Sequence, residues 1–255
     1  MQIFTENFKS SPYWWEKVPR PKIEIKKVPE KIDVAIIGSG YTGLCAALTL
    51  AKAGCEVVVF DAEDAGWGCS SRNGGQVSTS IKPGFRKLCG QFGEAAATKI
   101  IKEGQNSLDW LKNFIAREKI DCSFKVPGRF FAAHSQREFD RLAANLKAQP
   151  ASLEVKAKLV TRAEQRKELG TDIYHGGAVF ESHASLDPAL YHSALLEKVL
   201  KAGVTIITNC RVKKIRKHNA EFSLDTQLGL FNANKVIVGT NGYTGQLTPW
   251  LSPVS

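Results

Sequence analysis

Two short apolar runs flank a longer segment rich in Leu and Ala near the start of the chain. Residues 33–37 read Asp-Val-Ala-Ile-Ile and residues 56–60 read Glu-Val-Val-Val-Phe, without the polar alternation of a half-exposed strand. Such continuous runs are typical of parallel strands that are buried on both faces. Between them, residues 41–53 contain no Pro and are followed by Gly54, which predicts a helix and its C-terminal end. This order of strand, helix and strand predicts an α/β fold built on a βαβ unit.

Further along the chain, the pattern changes to a long amphipathic segment between residues 91 and 120. Small or apolar residues recur in it at alternating spacings of three and four, at Ile101, Gly104, Leu108, Leu111 and Ile115. This stripe predicts one helix whose apolar face covers the sheet. Two apolar runs, at 122–126 and 129–133, flank Pro127-Gly128, and this arrangement predicts a β-hairpin.

The last part of the chain alternates between helix and strand patterns. Residues 135–149 are predicted to be helical, and Asp187 is positioned to cap a second helix that begins at Pro188 and ends before Gly203. Short strands are predicted at 179–181, 204–208, 212–215, 221–224 and 235–238. The fold is therefore expected to be more than a simple doubly wound sheet.

A glycine-rich turn, Gly38-Ser-Gly40-Tyr-Thr-Gly43, joins the first predicted strand to its helix. In such a turn Gly38 permits the tight bend, Gly40 lets a pyrophosphate approach the backbone, and Gly43 lets the helix pack on the strand. The helix N-terminus offers unpaired N–H groups and a positive dipole end to the phosphates. Asp61 follows the second strand, where a βαβ fold places the acid that binds the adenosine ribose. The unit predicts dinucleotide binding rather than an ordinary glycine turn.

Either NAD or FAD would satisfy the βαβ unit, because both contain an adenosine ribose and a pyrophosphate. The second glycine-rich segment reads Gly66-Trp-Gly68-Cys-Ser-Ser-Arg72-Asn-Gly-Gly-Gln76. A nicotinamide dehydrogenase would normally continue with alternating strands and helices instead. Small residues bring backbone N–H groups close to a ligand, serine hydroxyls can donate, and Arg72 can neutralise a phosphate. This segment is therefore predicted to contact the cofactor.

Together these motifs resemble the D-amino-acid-oxidase-type FAD-dependent oxidoreductases, and within that family the γ-glutamylputrescine oxidoreductase group. The resemblance extends to Trp14, to Asp187-Pro-Ala, and to the run from Val236 to Thr244. It implies an α/β fold with an FAD-binding Rossmann-like βαβ domain that is interrupted by an α+β substrate domain and incomplete at the C-terminus. The expected boundaries are an N-terminal extension at 1–32, a discontinuous FAD-binding domain at 33–118 and 186–255, and the start of the substrate-binding domain at 119–185.

The resemblance also implies which residues contact a non-covalently bound FAD. These are Gly38, Gly40, Tyr41, Thr42 and Gly43 at the pyrophosphate; Asp61 and Ala62 at the ribose; Ser70, Ser71, Arg72, Asn73, Gly74, Gly75 and Gln76 between pyrophosphate and flavin; Val212 at the adenine; and Thr240 and Gly242 after the last strand. The chain departs from the family at two of these positions. Ser71 stands where Gly is common, which would strain the loop if φ were positive there, and Asp61 stands where Glu is more frequent.

The implied reaction is oxidation of a primary or secondary amine by hydride transfer to the flavin. Because the flavin carries the difficult chemistry, no side-chain nucleophile is required, and the sequence assigns no catalytic residue. His175 and His183 are interpreted as structural, since neither has an evident partner for acid–base chemistry. γ-Glutamylputrescine, glycine-like amines and small amino acids all remain open as the small-molecule substrate. An NAD-dependent dehydrogenase is the alternative that residues 72–76 disfavour.

The family resemblance implies a longer protein as well. Members of the family continue well beyond residues 249–255, so this sequence is expected to be an N-terminal portion. The remaining substrate-domain strands would then come from a separate C-terminal polypeptide, which is a predicted partner. An FAD-binding remnant without turnover is the alternative.

Composition argues against several other classes of protein. The 255 residues are 43% hydrophobic, which is enough for a core in one or two domains. No apolar stretch reaches the roughly 18 residues of a membrane span, and the N-terminus lacks a signal-peptide pattern, so we expect a cytoplasmic protein without membrane contact. The six cysteines show no CxxC or metal-ligand spacing, which predicts reduced thiols and no metal site. Cys69, inside the second glycine-rich segment, is expected to be an inert residue rather than a covalent flavin link.

The net charge of +10 raises nucleic acid as a possible partner. Five basic residues cluster near the end of the chain, namely Arg211, Lys213, Lys214, Arg216 and Lys217. No aromatic residues interleave them, and alternate side chains of a strand point to solvent. The cluster is therefore interpreted as a solvated basic face, and no nucleic-acid partner is expected.

Overall fold

The computed structural model of the chain describes residues 3–24, 28–153 and 155–248. Its helices are α1 (Tyr13–Lys17), α2 (Tyr41–Lys52), α3 (Phe85–Phe92), α4 (Glu94–Arg117), α5 (Gln136–Lys147) and α6 (Pro188–Lys201). Its strands are β1 (Ile32–Ile37), β2 (Val57–Phe60), β3 (Gln76–Val77), β4 (Arg129–Ala132), β5 (Ala157–Val160), β6 (Gly177–Phe180), β7 (Ala184–Ser185), β8 (Thr205–Ile207), β9 (Val212–His218), β10 (Glu221–Thr226) and β11 (Gly229–Val238). Short 3-10 helices lie at Cys69–Ser71, Ala151–Leu153, Gln165–Lys167, Asn241–Tyr243 and Gly245–Leu247.

The chain forms two compact units, one made of Met1–Gly74 with Asp187–Ser255 and the other of Gly75–Leu186. The second unit begins at residue 75, whereas the predicted substrate-binding domain begins at residue 119. Residues 75–118 therefore belong to the second unit and not to the first. Within that unit, α3 packs on α4, and the Gln105 side chain donates a hydrogen bond to the carbonyl of Leu153. The assignment of the units as FAD and substrate domains stays a prediction.

A six-stranded sheet in the order β8-β2-β1-β11-β10-β9 forms the centre of the first unit. Strands β8, β2, β1 and β11 are parallel, whereas β11, β10 and β9 are antiparallel neighbours. Every residue of β2 is buried, and so are five of the six residues of β1. The predicted parallel strands at 33–37 and 56–60 are thus confirmed, as is the α/β fold class. On β9, Lys213, Lys214, Arg216 and Lys217 are exposed.

Helices α2 and α6 pack against each other in the first unit. Helix α6 begins as predicted: Asp187 Oδ1 accepts from the backbone N–H groups of Ala189 and Leu190 at 2.9 and 3.0 Å, and Pro188 occupies the first helical position. A proline is tolerated there because that N–H has no intrahelical partner. Tyr191, Leu195 and Val199 are buried on the inner face of the helix.

The second unit contains a three-stranded antiparallel sheet in the order β4-β6-β5 and a short β3–β7 pair. The predicted hairpin is wrong. Strand β4 pairs with β6 instead, and residues 122–126 contribute only one bridge, between Lys125 and Ser185. Two features explain the difference: Ser123 has a φ of 53°, which interrupts an extended run, and the Gly128 N–H donates to the carbonyl of His183 at 3.1 Å.

The predicted helix over 91–120 is divided into α3 and α4 at Gly93. Gly93 has a φ of 80°, which a right-handed helix cannot contain, so α4 starts one residue later. Ile101, Leu108 and Ile115 of the predicted stripe are buried. The expectation that this face covers the sheet is not confirmed, because α4 packs on α3 and on the 3-10 helix at Ala151–Leu153 instead. Gly104 belongs to this stripe for a steric reason, because a Cβ there would lie 2.6 Å from the carbonyl oxygen of Thr79.

Candidate cofactor site

A cavity of about 440 Å³ opens in the first unit where β1, β2 and β11 end. Open parallel sheets bind ligands outside the carboxyl ends of their strands, at the position of this cavity. Many of the predicted cofactor residues line it, namely Gly38, Gly40, Tyr41, Thr42, Asp61, Ala62, Ser70, Asn73, Val212 and Thr240. Segments that are far apart in sequence therefore meet around one space, although their contacts with FAD stay predictions.

The glycine turn after β1 has the geometry of a phosphate cradle. Gly38 has a φ of 102°, and a Cβ on it would lie 2.8 Å from the carbonyl oxygen of Gly239. A Cβ on Gly40 would lie 2.9 Å from Ser70 Oγ. Gly40, the N-cap residue of α2, has no side chain that could cap the helix, and Ser70 Oγ accepts from the Tyr41 N–H. The N–H groups that follow in the first turn can be offered to an anion.

Gly43 does not line the cavity but sets how closely α2 lies on the sheet. A Cβ at this position would be 1.9 Å from the carbonyl oxygen of Gly38 and 3.3 Å from Ile36 Cγ2. The close approach of helix and strand therefore requires glycine, which is the packing role predicted for the third glycine of the motif.

Asp61, at the end of β2, is held in place by three hydrogen bonds. Its Oδ2 accepts from the backbone N–H and the hydroxyl of Ser39, at 2.7 and 2.5 Å, and its Oδ1 accepts from the Glu63 N–H at 3.0 Å. A carboxylate can accept about four hydrogen bonds, so capacity remains for a ribose hydroxyl. Ser39 is fully buried and was not predicted as a site residue.

His192 on α6 supports the same turn from behind. Its Nε2 donates to the carbonyl oxygen of Ser39 at 2.8 Å. Burial lowers the pKa of His192, while the Ser39 carbonyl and the charge of Asp61 act in the opposite direction. A Cβ on Gly66 would lie 2.8 Å from the imidazole, which leaves room there only for glycine. Sequence reasoning missed His192, because nothing in its spacing from Ser39 signals the contact.

The segment 66–73 forms one wall of the cavity. Ser70 Oγ accepts from the Tyr41 N–H at 3.1 Å, which ties this wall to the start of α2. Asn73 Nδ2 donates to the carbonyl oxygens of Cys69 and Ser70 at 3.1 and 3.3 Å. Ser71 lies in a 3-10 helix with its φ outside the positive region, so the strain considered for this position is absent.

Some predicted site residues lie elsewhere. Within the first unit, Ser71, Arg72, Gly74 and Gly242 do not line the cavity. Gly75 and Gln76 belong to the second unit, where Gly75 accepts from the Leu186 N–H and Gln76 pairs with Ser185. The FAD contacts of all six residues stay predictions.

Several lining residues were not predicted. Trp67 and Tyr243 face each other edge to face, with 6.1 Å between their ring centroids. Arg211, assigned from the sequence to the solvated basic face, lines the cavity and pairs with Glu63 at 3.4 Å. The position of Trp67 between Gly66 and Gly68 of the second glycine-rich segment was a signal that could have identified it. No comparable signal marks Arg211.

The two histidines singled out from the sequence lie in the second unit. His183 is buried and stacks on Phe180, with 5.2 Å between ring centroids. Burial and the nearby charge of Arg129 lower the pKa of His183. The backbone N–H of His175 donates to the carbonyl of Ala133 at 2.9 Å. Neither histidine acquires a catalytic assignment from these contacts.

Comparison with known proteins identifies the family. Residues 33–254 match the family described as FAD dependent oxidoreductase, DAO. The chain belongs to this family. Its cofactor is accordingly FAD, which resolves the choice between FAD and NAD that the βαβ unit left open. The glycine cradle, the Gly40 N-cap of α2 and the remaining acceptor capacity of Asp61 fit the phosphates and ribose of that cofactor.

Individual relatives agree with this assignment. The chain is 29% identical over 241 residues to the probable oxidoreductase OrdL of Rhizobium meliloti, covering 92% of this chain and 56% of that protein. It is 30% identical over 217 residues to the γ-glutamylputrescine oxidoreductase of Escherichia coli, covering 84% of this chain and 50% of the relative. The chain thus spans about half the length of the curated relatives it matches.

Solved structures share the fold at lower identity. The glycine oxidase of Geobacillus kaustophilus matches with a TM-score of 0.75 and 19% identity, over 86% of this chain and 58% of that one. The L-proline dehydrogenase of P. horikoshii matches with a TM-score of 0.70 and 21% identity, over 87% of this chain and 56% of that one.

Within residues 3–24, 28–153 and 155–248, no group of three or more His, Cys, Asp or Glu side chains could hold a metal ion. None of the helices in these ranges has both the length and the apolarity needed to cross a bilayer.

Proposed function

We propose that the chain forms the FAD-binding part of an oxidoreductase that oxidises a primary or secondary amine or an amino acid. The observation that carries the proposal is the cavity at the ends of β1, β2 and β11, where the glycine turn and Asp61 converge. The names of three similar proteins support the amine class, because γ-glutamylputrescine, glycine and L-proline each carry an amine nitrogen.

In this proposal the residues of the chain bind and orient the cofactor. The N–H groups at the start of α2 hold the pyrophosphate, and Asp61 accepts a hydrogen bond from the adenosine ribose. Ser39 and His192 hold the glycine turn and the Asp61 carboxylate in fixed positions relative to each other, through the bonds at 2.5–2.8 Å described above. When bound, the flavin supplies a hydride acceptor for the carbon that bears the substrate nitrogen, and the resulting imine is hydrolysed by water.

Cofactor binding is tested first, with the purified chain. We expect a flavin absorption band that passes into the supernatant after heat denaturation, as non-covalent FAD does. Asp61→Asn is expected to weaken FAD binding about tenfold or more, because it removes a charge-assisted acceptor. Asp172→Asn is the matched control, since Asp172 is exposed and pairs with Arg166 in the second unit. A colourless chain that does not take up added FAD would contradict the proposal.

Amine oxidation is tested separately. The FAD-loaded chain is mixed anaerobically with glycine, L-proline or γ-glutamylputrescine, both alone and with a polypeptide that covers the C-terminal half of the relatives. The proposal expects one of these amines to bleach the flavin band when both polypeptides are present. FAD binding without bleaching by any amine would instead favour a protein that binds the cofactor without turnover.

A further inference from the structure

The segment 13–20, which includes α1 and precedes the sheet, contacts the wall of the cofactor cavity without lining the cavity itself. It carries two indole N–H groups that donate to the second glycine-rich segment. Trp14 Nε1 donates to the carbonyl oxygen of Asn73 at 2.8 Å, and Trp15 Nε1 donates to Ser71 Oγ at 2.7 Å. The accepting residues are 59 and 56 positions further along the chain.

The bond from Trp14 holds the last residue of the 66–73 wall, and the bond from Trp15 is linked through Ser71 to its first residue. The Ser71 hydroxyl that accepts from Trp15 donates in turn to the carbonyl oxygen of Gly66 at 2.5 Å, and it is buried. The Asn73 carbonyl that accepts from Trp14 belongs to a residue whose side chain bonds to Cys69 and Ser70. The 66–73 wall therefore contains residues that line the cavity, whereas Trp14 and Trp15, which hold it, do not line the cavity.

Two arginine side chains, Arg20 and Arg72, add further contacts to Trp15. The Arg20 guanidinium lies 4.2 Å from the ring centroid of Trp15 and pairs with Asp64 at 3.2 Å. The Arg72 guanidinium lies 4.4 Å from the ring centroid of Trp67 and 5.7 Å from that of Trp15. Such cation–π contacts are worth more when the groups are shielded from water, and the Arg20 side chain is only 24% exposed.

We propose that the segment 13–20 is a positioning element of the cofactor site, in which Trp14 and Trp15 hold the 66–73 wall in the conformation that binds FAD. The proposal rests on the FAD-binding part of the proposed function and adds that residues preceding the βαβ unit contribute to affinity. A glycine- and serine-rich wall has many accessible backbone conformations, so ordering it before FAD arrives lowers the entropic cost of binding.

The affinity test uses substitutions that keep an aromatic ring but remove the indole N–H. Trp14→Phe and Trp15→Phe each remove one indole N–H and are expected to weaken the FAD Kd by about two- to tenfold. Trp110→Phe is the control, because Trp110 is 53% exposed and stacks on Phe114 in the second unit. The Kd is measured by titration calorimetry, and the thermal midpoint without FAD is recorded for each variant to confirm that it folds.

A double-mutant cycle separates positioning from general stabilisation. Trp15→Phe and Ser71→Ala remove the two partners of one hydrogen bond, so their effects on the Kd are expected to be less than additive. An effect of Trp15→Phe that persists in full on the Ser71→Ala background would contradict transmission through this bond. A loss of affinity of equal size in Trp110→Phe would overturn the proposal as well.

Hydrogen exchange in the absence of FAD tests the same idea independently of the cofactor. The amides of residues 66–73 are expected to exchange faster in Trp14→Phe and Trp15→Phe than in the unchanged chain, with no such change in Trp110→Phe. Unchanged exchange together with an unchanged Kd would refute the positioning role. Failure of the unchanged chain to bind FAD would refute the proposed function. The anchoring of the 66–73 wall is refuted separately, by unaltered exchange of its amides in the tryptophan variants.

Discussion

Gly43→Ala tests the packing at the centre of the cofactor site, because it adds one methyl group where helix and turn are closest. The new Cβ would lie 1.9 Å from the carbonyl oxygen of Gly38, whereas real Cβ atoms essentially never approach within 3.0 Å. The obstructing atom is backbone, so it cannot rotate away as a side chain could. Relief requires α2 to move away from the turn by roughly 1 Å, which also displaces the N–H groups predicted to bind phosphate.

The balance of two effects gives the expected magnitude. Overpacking a buried site costs about 1–3 kcal/mol, or more where backbone obstructs. Replacing a helical Gly with Ala returns only about 0.5–1 kcal/mol. Because the obstructing atom is backbone, the upper end of the first range applies, and we expect a net loss of stability of about 2 kcal/mol. The thermal midpoint is expected to fall by several degrees, on the order of 4–8 °C.

The assay combines thermal unfolding followed by circular dichroism with FAD titration. Gly90→Ala in α3 is the matched control, because no described atom lies within 4 Å of its added Cβ, apart from the helix's own backbone and the two chain neighbours. This control is expected to be neutral or slightly stabilising. A Gly43→Ala protein with the thermal midpoint and FAD affinity of the unchanged chain would refute the steric reasoning.

The other predictions concern neighbouring groups. Burial places the pKa of His192 in the folded protein below its ordinary value of about 6.5, so the unfolded chain binds more protons and stability falls as pH drops below about 6.5. His192→Gln should reduce that acid-dependent loss in a series of thermal midpoints, and His218→Gln, at an exposed position, is the matched control. Ser39→Ala removes a buried hydroxyl bonded to a carboxylate and should lower the free energy of unfolding by about 1–3 kcal/mol, measured by denaturant titration. Cys69 is exposed and lines the cavity, so maleimide should label it before Cys45, whose thiol pKa is raised by burial, and FAD should slow the labelling, as followed by peptide mass spectrometry. An equal labelling rate with and without FAD would place the cofactor away from Cys69.

The sequence predicts an element correctly where a single segment carries its own signal. The continuous apolar runs of β1 and β2 and the Asp187-Pro188 start of α6 are all present. The sequence predicts strand pairing incorrectly where the signal is a Pro-Gly pair alone. No turn forms at Pro127-Gly128, and the partner of β4 comes from residues 177–180, which no local pattern identifies.

The sequence by itself determined the dinucleotide turn, because that turn depends on residues close together in the chain whose spacing has direct physical meaning. The family, and with it the choice of FAD, followed from resemblance along the sequence. A strand, a glycine at each close approach and an acid after the next strand suffice for a dinucleotide cradle. Only the tertiary structure decided what holds that cradle in place. His192 bonds to a residue 153 positions away, and Trp14 and Trp15 bond to residues 59 and 56 positions away. Such contacts arise when packing brings distant segments together, so neither periodicity nor motif spacing records them.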